Sequence, residues 1–214
     1  MKSKQFIVKE STPFLRAEAF ITRARTAARS DFRRTRHEKA PKRDVAPEDA
    51  AVIAIIRVKS RYHVSPTTQA LLTKLGVFAP NVCSFVRTTP ANVEMIHKVA
   101  SYITWGVPDY KTMSDLLRKR GYAKNKEDIK KREPLTSNAF IEKELGSFGI
   151  ICIEDIVHEL FTGGENFDTV TEFLHPFKLN SPTKGWKSIE TQFAKGGDIG
   201  DRKGEINALI RSMC

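Results

Sequence analysis

Along this chain the spacing of apolar positions changes repeatedly, and each change marks an element. The run AVIAIIRVKS (51–60) is dense in Ile and Val and predicts a strand. SPTTQALLTKLG (65–76) predicts a helix, with Ser65 as cap, Pro66 in the first turn and Gly76 closing it. NVCSFVRTT (81–89) alternates and predicts a second strand. PANVEMIHKVAS (90–101) places Val93, Ile96, Val99 and Ala100 on one side of a second helix, and YITWGV (102–107) reads as a third strand. The order β-α-β-α-β predicts an α+β fold, a small sheet with helices over one face, as in a ferredoxin-like sandwich.

From Pro108 the pattern becomes mostly helical. Helices are predicted over 110–121, 137–146, 153–164, 167–177 and 204–213, the third with Ile156, Val157, Leu160 and Phe161 as its apolar side. The charged connector Tyr122–Thr136 reads as a binding loop. Before Pro47 a different kind of helix is predicted, opened by Thr12 and Pro13 and ended by Pro41. Its Arg25, Arg29, Arg33 and Arg36 recur at four, four and three residues and line one face, with Ala24, Ala27, Ala28 and Phe32 between them. Large apolar side chains are too few to hold it on a core, and like charges one turn apart oppose it in isolation. It is expected to be mobile when free and to order where phosphates neutralise it. An amphipathic membrane helix would need a broader apolar stripe. Three parts result: a basic N-terminal helical arm (1–49), a ferredoxin-like core (50–108) and a mostly helical C-terminal extension with basic loops (109–214).

Charge turns this outline toward a partner. Thirty-six basic and twenty-five acidic residues give a net charge of +11 and a pI near 9.7, the signature of a protein that meets a polyanion. The signs are segregated. Residues 14–43 carry ten basic residues and three acids, 118–132 carry eight and two, and 154–172 carry six acids and no base. A surface evolved only for solubility mixes its signs; segregation implies one face on a polyanion and an acidic face turned away or meeting a basic partner. No apolar run approaches the ~20 residues of a membrane span, and the first residues lack the apolar core of a signal peptide. Cys83, Cys152 and Cys214 are far apart and odd in number, which fits a reducing compartment and neither a disulfide framework nor a zinc site.

Candidate chemistry is thin. Glu154 and His158 share a helical face, yet the order is not H-E-x-x-H. KGGDIGDRKG (195–204) is basic and glycine-rich but is no phosphate-binding P-loop, and no serine sits in G-x-S-x-G. The five histidines show no ligand spacing. No enzyme, cofactor, metal or small-molecule substrate is therefore expected. Nucleic acid is better supported. Lys59 and Arg61 flank Tyr62; Lys119, Arg120 and Lys124 flank Tyr122; Lys184 and Lys187 flank an exposed Trp186. A cation beside an aromatic suits a phosphate contact plus a stacked unpaired base. Arm residues Arg23, Arg25, Arg29, Arg33, Arg34 and Arg36 would neutralise phosphates. Lys195 and Arg202 lie where glycines let backbone N–H groups approach phosphate.

Several longer stretches carry a resemblance: WGVPDYKTMSDLLRKRGYAK (105–124), LTSNAFIEKELGSFGIICIEDIVHELFTGG (135–164), FLHPFKLNSP (173–182) and GGDIGDRKGEINALIRSM (196–213). In this order they resemble the large-subunit ribosomal protein family called L thirty in bacteria and L seven in eukaryotes, in its eukaryotic form. The resemblance implies a structural constituent of the cytosolic large subunit, with passage through the nucleus and nucleolus during assembly. It implies contacts to large-subunit rRNA near the 5S RNA region and to neighbouring ribosomal proteins, and neither catalysis nor a membrane. The loops at Lys59–Arg61, Arg118–Lys124 and Lys178–Lys187 would then touch RNA beside the arm. Two other readings are a nucleolar assembly factor of the same family, bound to pre-ribosomal RNA, and an enzyme built on Glu154 and His158.

Overall fold

The computed structural model describes residues 17–39, 51–60, 62, 64–124 and 132–214. The predicted helix start at Thr12–Pro13 and its stop at Pro41 lie outside the described residues, as do Arg61 and residues 125–131 of the connector. Residues 1–44 and 45–214 form separate units.

The first unit contributes α1, Ala17–Lys39. Phe20, Ile21 and Phe32 are 58%, 52% and 70% exposed, so its apolar side chains pack into no core. Thr22, Thr26, Ser30 and Thr35 return their hydroxyls to carbonyls one turn back, which satisfies them within the helix.

The second unit is organised by β1 (Val52–Arg57), every residue of which is buried. Val52, Ala54 and Ile56 belong to one core and Ile53 and Ile55 to another. A strand apolar on both faces requires cover on both. α2 (Pro66–Lys74) and α3 (Pro90–Val99) supply it on one side, through Leu72, Ile96 and Val99. The other side is covered by α4 (Tyr110–Arg120), α5 (Asn138–Leu145), α6 (Ile153–Thr162), α7 (Phe167–Phe173) and α8 (Ile206–Met213). The two helices of the β-α-β-α-β unit thus cover one face, as expected, and the C-terminal helices add a third layer on the other.

β2 (Val82–Arg87) and β3 (Ile103–Gly106) run antiparallel on either side of β1. Because β1 lies between them, β2-α3-β3 is a split β-α-β unit, the ferredoxin-like feature expected from the element order. Two strands of two residues each, β6 (Phe177–Lys178) and β7 (Gly200–Asp201), extend the sheet to the order β6-β2-β1-β3-β7. They are too short to show a period. At Gly106 an added Cβ would stand 2.2 Å from the Lys203 carbonyl, so only glycine lets β3 run this close to the approach of α8.

The connector also differs from expectation. Its ends form a hairpin of β4 (Tyr122–Lys124) and β5 (Arg132–Pro134), with Tyr122 opposite Pro134 and Lys124 opposite Arg132. α7 stops at Phe173 instead of reaching Phe177, because the residue before Pro176 is sterically pushed out of the helical region. α8 begins at Ile206 after a 3-10 turn over Lys203–Glu205.

Candidate nucleic-acid interface

α1 carries the arm. At about 100° per residue, Arg25, Arg29, Arg33 and Arg36 fall within an arc of roughly 80°, while Arg23 and Arg34 occupy the opposite side. Arg23, Arg25 and Arg29 are exposed; the side chains of Arg33, Arg34 and Arg36 lie outside the described residues.

On the body, three cations converge that are scattered in sequence. Lys124 of β4, Arg132 of β5 and Lys178 of β6 all act on His175. Burial lowers the His175 pKa first, and these three positive charges lower it further against the Pro176 carbonyl. The imidazole is therefore held toward its neutral form. Lys124 is itself lowered by desolvation, with the Glu172 carboxylate opposing. Sequence reasoning singles out Lys124 and Lys178 but not Arg132, which is visible there only as one of the many charges of the connector.

The loop after β1 is built from beneath. Arg57 is fully buried. Its Nε donates to the Lys59 carbonyl at 2.9 Å, Nη2 to the Ser60 carbonyl at 3.0 Å and Nη1 to the Phe78 carbonyl at 2.9 Å. One guanidinium, whose planar fork suits several acceptors at once, thereby positions the loop that presents Lys59 and Tyr62. Tyr62 is 83% exposed and free to stack, but Lys59 lies over Tyr102, with Nζ 5.6 Å from the ring centre. In the sequence Arg57 is hidden as one polar residue inside an apolar strand. Replacing Arg57 by Met should orphan these carbonyls and destabilise the protein by about 2 kcal/mol or more. Denaturant titration measures the loss, and faster amide exchange at Lys59 and Tyr62 should accompany it.

Other candidate residues are partly engaged. Arg118 pairs with Glu154 at 2.7 Å, both half-exposed, so this bridge is screened by solvent. Lys119 is exposed, and Arg120 donates to the Cys214 carbonyl at 3.1 Å. Tyr122 is 39% exposed, at the hairpin edge. Lys178, Lys184, Lys187 and Lys195 are exposed. Trp186, expected to be exposed, is instead partly buried against the main core, so its ring serves packing before stacking.

Arg202 departs furthest from the exposed cation that its sequence context suggests. Its guanidinium is 8% exposed and pairs with Asp198 at 2.6 Å. It also donates to Thr104 Oγ1 at 3.0 Å and stacks 4.6 Å from the Phe193 ring centre. Asp198 in turn accepts the N–H groups of Lys187 and Ser188. This buried group ties the 187–202 loop to β3. Within the glycine-rich stretch Arg202 is committed to this buried pair, while Lys195, Gly196, Lys203 and Gly204 remain exposed.

The carboxylates of α6 have structural employment. Glu154 is held below the usual range by its own backbone N–H and by Arg118. Asp155 is held low by the Ile151 N–H, then by Cys152, closing the helix N-terminus. Glu159 accepts the Asn166 N–H at 2.7 Å. A general base needs its affinity for protons raised toward neutrality; Glu154 is moved the other way. Among the described residues no group of acids, histidines or cysteines could hold a metal ion, and no helix is long and apolar enough to cross a membrane.

Fold and site together define a class: a mixed α/β protein with a sheet buried on both faces and cations presented on an arm, a hairpin and loops. Comparison with known proteins makes the class specific. The family described as Ribosomal protein L30p/L7e matches over residues 53–103, the β1–β3 unit. Large ribosomal subunit protein uL30 of Neurospora crassa is 40% identical over 94% of this chain and 80% of its own. Its counterpart in Caenorhabditis elegans is 37% identical over 96% and 83%, and that in Dictyostelium discoideum 38% over 95% and 81%. The chain belongs to the uL30 family of large ribosomal subunit proteins.

Proposed function

We propose that this protein is a structural constituent of the cytosolic large ribosomal subunit, where it binds and stabilises large-subunit rRNA near the 5S RNA region. The observation that carries the reading is the likeness to large-subunit proteins along nearly the whole chain. The cations support its RNA part: they stand on separate elements, as a protein threaded among RNA helices requires, and each contact displaces counterions from phosphate. In this role the arm and the Lys124–Arg132–Lys178 group neutralise phosphates, and Tyr62 offers a ring to an unpaired base. Neighbouring large-subunit proteins are the remaining partners, catalysis plays no part, and the chain passes through the nucleolus as subunits are assembled.

Sedimentation of the tagged protein through a sucrose gradient in high salt tests this reading. Stoichiometric recovery in free large subunits, monosomes and polysomes is expected. Recovery only in nuclear pre-ribosomal fractions would instead make it an assembly factor that leaves before maturation. Recovery only at the top of the gradient would remove the ribosomal assignment.

A further inference from the structure

The connector hairpin places on one face residues that the sequence keeps apart. β4 and β5 pair Tyr122 with Pro134 and Lys124 with Arg132. The chain leaving α7 then runs along the other side of β4. Ala123 and Leu174 form a bridge there, and the His175 N–H donates to the Tyr122 carbonyl at 2.8 Å. In this register His175 stands opposite Tyr122. Directly paired residues share a face, and so do residues two apart on a strand. Tyr122, Lys124, Arg132 and His175 therefore belong to a single face. Its reverse carries Ala123 and Leu174, both buried in the main core, so this face looks outward. Tyr122 and Lys124 are exposed on it, and Arg132 and His175 half-buried.

The result is an aromatic ring beside fixed positive charge. The strand repeat sets Lys124 roughly 7 Å along from Tyr122, a distance that a lysine stem spans toward the phosphate of a base lying on the ring. Arg132 stands directly across from Lys124. Lys178 of β6 joins them, since all three cations bear on His175. The opposing carboxylate is Glu172, near Lys124; Asp168 lies a further turn back along α7. Glu133 pairs with Ala123 and so belongs to the reverse face. Three cations against one acid favour an anion. An exposed ring among them favours an anion that brings a flat group of its own.

We infer that this face seats one unpaired RNA nucleotide, its base stacked on Tyr122 and its flanking phosphates held among Lys124, Arg132 and Lys178. Stacking of this kind accepts any base, but the base must be free to leave its neighbours, so the site takes single-stranded RNA and not duplex. The inference rests on the rRNA reading and narrows it to one element. His175 reports whether the seat is filled. Around its imidazole stand Lys124 and Arg132 from the hairpin, Lys178 from β6, and the Tyr122 and Phe78 rings, the latter edge-on at 6.3 Å. In the free chain burial and the three cations lower the His175 pKa. A bound phosphate offsets those cations, so the imidazole holds a proton more readily in the complex. By linkage, binding strengthens as pH falls through the range in which His175 titrates.

NMR of the full chain during titration with pentauridylate tests the site directly, because Tyr122 and His175 report on it separately from the arm. The Tyr122 ring protons should move upfield and the His175 pKa should rise. The same sugar–phosphate chain without bases should leave the Tyr122 ring in place. Read through His175, it should bind roughly fivefold or more weakly, the contribution of one stacked base. Tyr122→Leu should bind the two chains alike. Four results would overturn the proposal: an unmoved Tyr122 ring, an unchanged His175 pKa at saturation, equal binding of both chains by the wild-type protein, or discrimination between them that persists in Tyr122→Leu. Equal shifts at both residues with pentaglutamate would assign the face to an acidic protein segment and overturn it as well. If the site fails while rRNA fragments still bind, the rRNA reading stands without it; if rRNA fragments bind nowhere on the chain, both fall.

Discussion

Replacing Arg25, Arg29, Arg33 and Arg36 together by alanine should remove roughly 3 from the slope of log affinity against log salt for rRNA fragments, at about 0.7–0.9 for each phosphate no longer neutralised. The reason begins with the helix itself. α1 spans Ala17–Lys39 with Phe20, Ile21 and Phe32 exposed, and Arg25 and Arg29 of the four-arginine face stand in solvent, open to phosphate. Alanine favours helix more than arginine does, so the variant changes charge while leaving the helix able to form. Between 50 and 200 mM salt a slope difference of 3 amounts to roughly a sixtyfold difference in how far affinity falls. The variant should therefore bind more weakly at low salt and respond far less to added salt. An unchanged slope would mean that these arginines touch no phosphate, and the affinity would then belong to the body.

The second large effect lies at the β7 edge of the sheet. Replacing Arg202 by Met should cost about 3–5 kcal/mol of folding stability, because it leaves the Asp198 carboxylate buried without its counter-charge. The N–H groups of Lys187 and Ser188 remain on that carboxylate and limit the loss. For a chain of this length the thermal midpoint should fall by roughly 10 °C, and urea titration gives the free energy directly. The consequence reaches past stability. Asp198 holds the backbone at Lys187 and Ser188, next to the exposed Lys184 and Lys187, so losing the pair should also loosen the basic loop. A variant with an unchanged midpoint would show that the pair is balanced by its own desolvation, and that Phe193 and Thr104 hold the edge without it.

These two residue sets look alike in the sequence: arginines in basic surroundings. What separates them is burial. The arm is legible because helical spacing alone decides which of its arginines share a face. Arg202 is not legible, because its partner Asp198 and its neighbours Thr104 and Phe193 are assembled by the chain's return past β3. Arg57 is hidden for a related reason: a buried guanidinium inside an apolar strand needs carbonyls from Lys59, Ser60 and Phe78, and only the fold supplies them together. Trp186 reads as exposed because its neighbours are charged, whereas the core beneath it comes from distant helices.

By itself the sequence determined the β-α-β-α-β order, the helices of the C-terminal half, the segregation of charge and the family likeness. All of these rest on local spacing, on composition or on long motifs. Tertiary structure alone decided that the sheet is covered on both faces, that two-residue strands complete it, and that the connector's ends pair as a hairpin. It also gathered Lys124, Arg132 and Lys178 around His175. Each of these depends on which distant segments meet, and a strand of two residues has no period to announce it. The meeting of residues far apart in the chain is a property of the packed molecule, set by the demand that both faces of β1 be kept from water.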